Sequence, residues 1–384
     1  MGLEDVWIRK SNYIINMVID YMVNFDEFVV MKKGFLKKLN IAIDEVINEK
    51  EDLDIDYDLL EKALELMIKN NRPIGRRPIS VVVPIKKSDM LTVTLDFFRS
   101  IDIDFYKKAI DTILQQNNNI KMNLYNFHDI RDFNKRDNNN LLEYTPDGRV
   151  HSRNGCANVN IPTNSELNSR EEEIFEKDTC TLEDLYTIVH EITHLFDLDL
   201  EAEKIERRKN MRELTGEATT IGFEGLLTEY LLKNNLYSSI GIQQIVNKRY
   251  NSSMQNARLV YAKLLLAKEK SKKGEITLEF IEKLMRDNNL STQYVRKMAY
   301  NIISATPDML LQNRYAIGGF IAPTIVKAYK ENGVQVLKKY LEYAKNNDIE
   351  QALKAIGVEM NIEGINILDR NFNEYLNRIS EKER

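Results

Sequence analysis

The sequence predicts a mainly α-helical protein with a small β-sheet in its second quarter. Two observations carry this. Only seven prolines and fifteen glycines interrupt 384 residues, and long segments repeat apolar residues at helical spacing. The short β-branched or alternating runs, in contrast, fall between residues 80 and 163.

Residues 3–32 and 36–50 read as amphipathic helices, and YDLLEKALELMIK predicts another over 57–69. SVVVPI reads as a short strand, LTVTLDFFRSIDIDFYKKAIDTILQQ as one helical stretch, and IKMNLYNF as a strand. RVHSRNGCANVNIPTN reads as a strand with an irregular start, through Cys156, Val159 and Ile161. From Thr181 onward nearly everything has helical periodicity. The expected organisation is an N-terminal helical region over 1–80, a mixed α/β segment over 81–180, and a helical region over 181–384 that carries the motif described next.

Composition narrows the function. Hydrophobic residues make up 43% and charged residues 29%, as in an ordinary globular protein. A net charge of −5 argues against a nucleic-acid partner, since neutralising phosphates needs a clustered basic excess. No apolar run is long enough to span a bilayer, and the acidic start MGLEDVWIRK does not resemble a secretory signal, so no membrane partner is expected. Two cysteines, Cys156 and Cys180, are too few for a disulfide framework and point to a reducing, cytoplasmic setting.

The chemistry concentrates in TLEDLYTIVHEITHLFDL. Thr181 and Asp184 form a capping box, and Leu182, Leu185, Ile188, Val189, Ile192, Leu195 and Phe196 recur at helical spacing. His190 and His194 are two of only four histidines, four residues apart on one face, close enough for both imidazoles to hold one Zn²⁺. Glu191 follows the first histidine, placed to act as general base without being a ligand, which is the logic of an HExxH motif. A catalytic zinc needs a third protein ligand and one open position. RELTGEATTIGFEGLLTEYLLK offers Glu213, Glu217 and Glu224 on a shared helical face, and spacing alone does not choose between Glu213 and Glu217. Asp184 and Glu224 are candidates for orienting an imidazole, with capping as the plainer role for Asp184. His128 and His151 read as ordinary structural histidines, and both cysteines as plain thiols.

These segments resemble the oligoendopeptidase F and thimet oligopeptidase family of zinc metallopeptidases. TLEDLYTIVHEITH is similar to that family's metal-binding helix, and GEATTIGFEGLLTEYLL to its third-ligand helix. RNGCANVNIPTN resembles the family strand beside the substrate cleft, and RYAIGGFIAPTIVKAYKENGVQVLKKYLEYA its Tyr-rich, glycine-containing helix. The resemblance covers about residues 150–375. It implies a zincin-type helical fold with a substrate cleft between helical lobes, one Zn²⁺ on His190, His194 and Glu217, and Glu224 supporting the ligands. The expected activity is cleavage of short, unfolded oligopeptides by metal-activated water, with Tyr315 as the closest match for the oxyanion donor.

Three features depart from the family. Thr193 stands where the family usually has Gly, no histidine follows His194, and residues 1–80 have no match, so the N-terminal lobe is expected to be reduced. Tyr300 and Arg314 are weaker substitutes for the missing C-terminal donors. Gly318 and Gly319, inside a helical pattern, mark either a close backbone approach, a hinge or a helix end. Two other readings stay open: a metal-binding regulatory or peptide-binding protein with weakened catalysis, and an aminopeptidase.

Overall fold

The computed structural model describes residues 36–48, 56–69, 82–129, 149–167, 178–197, 217–283 and 309–381, apart from 45, 117, 118, 154, 155, 166, 278, 282 and 347. The helix expected over 3–32 lies outside these residues, as do Glu213 and Tyr300. The chain divides into two compact units, Met1–Asp52 with Tyr261–Met309, and Leu53–Val260 with Leu310–Arg384. In the first, residues 36–44 and 46–48 are helical, and Asn40 ties this stretch to Ile276 through both of its amide atoms, at 2.9 and 3.3 Å.

The second unit holds Asp184, His190, Glu191, His194, Glu217, Glu224 and Tyr315. Its elements are α1 (Tyr57–Lys69), β1 (Pro84–Lys86), α2 (Lys87–Ile101), α3 (Ile103–Ile113), β2 (Ile120–Asn126), β3 (Arg149–Arg153), β4 (Cys156–Thr163), β5 (Thr179–Thr181), α4 (Leu182–Asp197) and α5 (Ala218–Lys233). They are followed by α6 (Ser239–Lys273), α7 (Met309–Asn332), α8 (Val334–Lys345), α9 (Ile349–Ala355) and α10 (Ile362–Glu381). Residues of α6 up to Val260 belong to this unit. The fold is mainly helical with two small sheets, as expected. No helix among the described residues is long and apolar enough to cross a membrane.

Three local expectations change. The helical stretch after the first strand is two helices, because Asp102 is extended (φ −166°, ψ 150°) and its carboxylate accepts from the Asp104 N–H at 2.8 Å, capping α3. The segment 149–163 forms two strands, β3 and β4, paired antiparallel with Arg153 opposite Cys156. The sequence between them is Asn154-Gly155. β4 is central, since β2 pairs with it in parallel from Ile120↔Ala157 to Asn126↔Thr163. The expected SVVVPI strand shortens to β1, which pairs antiparallel with β5.

These sheets hold both ends of the run into α4. β5 leads directly into that helix, and α4 packs against α5, α2 and β4. At its C-terminal end an aromatic cluster locks the helices together. Phe196 meets Phe98 at 5.3 Å, Phe105 at 4.8 Å and Phe223 at 5.7 Å between ring centroids. Offset and edge-to-face contacts of this kind add to the burial of large apolar rings. Lys108 donates to the carbonyl of Leu195, placing a cation at the negative end of α4.

Candidate metal centre

The N-terminus of α4 is built as the capping box requires. Asp184 N–H donates to Thr181 Oγ1 at 3.2 Å, and Thr181 N–H donates to an Asp184 carboxylate oxygen at 2.7 Å. The same carboxylate also accepts from the Asn164 N–H at 3.1 Å, which joins the loop after β4 to the helix. Burial pushes Asp184 up to about 6, against these hydrogen bonds. Asp184 therefore anchors the helix start and does not touch an imidazole.

One and a half turns further along, His190 and His194 face the same way, with ring centroids 4.9 Å apart. Glu217 comes from the residue that caps α5 rather than from the helix interior. Its Oε2 lies 3.1 Å from His190 Nε2 and 3.7 Å from His194 Nε2. One ligand atom from each of the three residues lies within 4.8 Å of the others. Donors around a tetrahedral zinc sit about 3.4 Å apart when each bond is near 2.1 Å. Two imidazoles and a carboxylate at these separations fit a divalent ion, and the group could bind one.

The surroundings reinforce the fit. Glu217 is 2% exposed, which for a carboxylate calls for compensation. Burial alone would raise it, but His194, His190 and Arg314 together hold it well below the usual carboxylate range. Thr220 Oγ1 donates to the same Oε2 at 3.1 Å. His190 Nδ1 and Glu224 Oε1 are 2.6 Å apart, leaving Nε2 for a metal. Burial would lower His190, yet its hydrogen bonds to Glu217 and Glu224 hold it up at about 10. Glu191 is 5% exposed, and its Oε2 is buried without a hydrogen-bond partner, while burial raises it to about 7. An unpartnered buried carboxylate oxygen beside such a trio is what a general base awaiting a water would present.

Tyr315 lies on α7 and reaches this neighbourhood. Burial first, then the negative charges of Glu217 and Glu191, push its hydroxyl up to about 12, with Arg314 opposing. The Arg314 guanidinium carbon is 5.1 Å from the Tyr315 ring centroid, and its Nε is 3.4 Å from Glu217 Oε1. Gly318 and Gly319 lie inside α7, so they mark neither a helix end nor a break. Gly318 packs directly on the Glu217–Ala218 backbone.

Thr193 is fully buried and donates to the Val189 carbonyl at 2.7 Å, satisfying its hydroxyl within the helix. His128 meets the Asn164 carbonyl at 3.0 Å, and Cys180 is a buried free thiol raised to about 11 by burial. The side chains of His151 and Cys156 lie outside the described residues.

One site residue has no sequence signal. Arg249, on α6, pairs its Nη1 with Glu224 Oε1. On a long charged helix such a residue reads as solvated, and only tertiary packing turns it inward.

No family model matches the chain, and no curated protein matches it. Among solved structures, the crystal structure of a "putative peptidase from Chlamydophila abortus" matches with a TM-score of 0.54 at 13% identity. The match covers 90% of this chain and 55% of that one, so this chain spans about half the length of the structure it resembles. At this identity the likeness concerns the fold alone, which is mainly helical.

Proposed function

We propose that the chain is a zinc-dependent endopeptidase of the oligoendopeptidase F and thimet oligopeptidase type, acting on short unfolded peptides. The observation that carries this is the convergence of His190, His194 and Glu217 beside the buried, unpartnered Oε2 of Glu191. The sequence resemblance and the peptidase fold support the same reading.

In this reading His190, His194 and Glu217 hold one Zn²⁺, which supplies Lewis acidity to polarise the scissile carbonyl and lower the pKa of water toward about 7. Glu191 takes one proton from the attacking water as its oxygen bonds to the carbonyl carbon, then passes that proton to the leaving amine as the C–N bond breaks. Tyr315 donates its hydroxyl to the developing oxyanion, a contact of a kind that contributes about 2.7–4 kcal/mol. Glu224 accepts from His190 Nδ1 and fixes which nitrogen faces the ion.

Incubation with a mixed peptide library, with and without chelator, tests this reading. Internal cleavage should disappear with chelator and in Glu191→Gln, and internal cleavage that persists in Glu191→Gln sinks the mechanism. Zinc uptake without cleavage of any peptide replaces it with a metal-binding, non-catalytic role. Release of terminal residues alone replaces it with an aminopeptidase.

A further inference from the structure

Three buried carboxylates, Glu191, Glu217 and Glu224, converge on the centre, each no more than 5% exposed. Protein cations meet two of them: Arg314 Nε stands 3.4 Å from Glu217 Oε1, and Arg249 pairs with Glu224. Glu224 Oε1 meets His190 Nδ1 on one side and Arg249 Nη1 on the other. The second terminal nitrogen of Arg249 donates to Thr187 Oγ1 at 3.2 Å, on α4 one turn before His190. The guanidinium carbon also lies 5.6 Å from the centroid of the Tyr186 ring on the same helix. One side chain from α6 thus grips the α4 helix that carries the two histidines and the α5 acid that orients the first of them.

We propose that Arg249 is a positioning residue of the metal centre, acting through Glu224: its planar fork spans Glu224 and Thr187 and so fixes the carboxylate that orients His190 toward the ion. This rests on the zinc reading above. A fork suits this because its two terminal nitrogens stand apart on one rigid plane and reach partners on different helices, whereas an ammonium offers its three donors from a single nitrogen. Arg249 makes no contact with the three ligand side chains among its described hydrogen bonds and ion pairs, which separates its role from theirs. Lys248, its neighbour, pairs with Glu183 at 2.9 Å on the exposed face of α4 and serves as a control for a merely structural α4–α6 tie.

The test is Zn²⁺ affinity of the full chain, measured by competition with a chromophoric chelator, alongside circular dichroism of the metal-free form. Loss of a group that orients a metal-bound histidine weakens metal binding by about 10–100-fold. Arg249→Met and Glu224→Gln should each show a loss of this size, and the double variant should lose no more than the worse single one. Lys248→Met should bind as the wild type does. Arg249→Lys should keep its fold and still bind several-fold more weakly, which decides the matter if Arg249→Met does not fold. Wild-type affinity in Arg249→Lys, affinity within twofold in Arg249→Met, or losses that multiply in the double variant each overturn the proposal. If the wild type takes up no Zn²⁺, the metal reading falls and this one with it. If the wild type binds zinc but cleaves no peptide, the peptidase reading falls while the affinity losses still support Arg249.

Discussion

Gly318 of α7 lies against Glu217 so closely that a Cβ added there would stand 2.9 Å from the Glu217 carbonyl carbon, the Glu217 Cβ and the Ala218 nitrogen. Those obstacles are mostly backbone, which cannot rotate away. Gly318→Ala should push the start of α5 from α7, at an overpacking cost of about 1–3 kcal/mol, and weaken zinc uptake because Glu217 moves with it. At Gly319 the obstacle is the Ser253 side chain, at 2.6 and 2.8 Å. Gly319→Ala should therefore be relieved by Ser253→Gly, whereas no single partner substitution relieves Gly318→Ala. Thermal melts and zinc titrations of the four variants check this. Unchanged zinc affinity in Gly318→Ala would show that Glu217 does not depend on this contact.

The candidate site was legible where the chemistry is local in sequence. HEITH places two imidazoles on one face by helical geometry alone, and the capping box fixes where that helix begins. Glu217 was only half legible: spacing left Glu213 beside it, and the structure sets it immediately before α5, its carbonyl accepting from the Ile221 N–H at 3.0 Å, a position that spacing does not mark. Asp184 could be read as a cap or as an orienting acid, and burial beneath the loop at Asn164 settles it as a cap. Arg249 was illegible, because its partners lie 25 and 62 residues away on two other helices. The same division holds for the sheets. β2 was visible from its own β-branched and aromatic residues, but its parallel pairing with β4 depends on contacts 37 residues apart, and no local pattern encodes those.

Asp184 gives a pH dependence whose sign follows from burial. Its folded value of about 6 stands above the ordinary 3.8, so its contribution is fully present below about 3.8 and is lost as the pH rises through about 6. The stability of the wild type relative to Asp184→Asn should therefore fall between about pH 4 and pH 6, read from urea midpoints. Asp184→Ala should be worse than Asn at every pH, since it strands the buried N–H groups of Thr181 and Asn164, each costing about 1–3 kcal/mol. A relative stability that rises across that window would contradict the burial argument.

His190 makes metal loading a proton exchange. Burial alone would lower this imidazole, but Glu217 and Glu224 hold it at about 10 in the metal-free chain, above the ordinary 6.5. Its contribution to folding is thus fully present below about 6.5 and is lost as the pH climbs through about 10. A metal ligand must be deprotonated at its coordinating nitrogen, so zinc uptake at about pH 8 should release about one proton from His190 while Nδ1–H stays on Glu224. Titration calorimetry in two buffers of different ionisation enthalpy reads that number directly. The metal-free chain should lose stability between about pH 7 and pH 10, and the zinc-loaded chain should be spared this loss, because its His190 is already neutral. Equal heats in both buffers, together with parallel stability profiles, would mean that His190 carries no proton to give up and that the two carboxylates do not hold it as their geometry indicates.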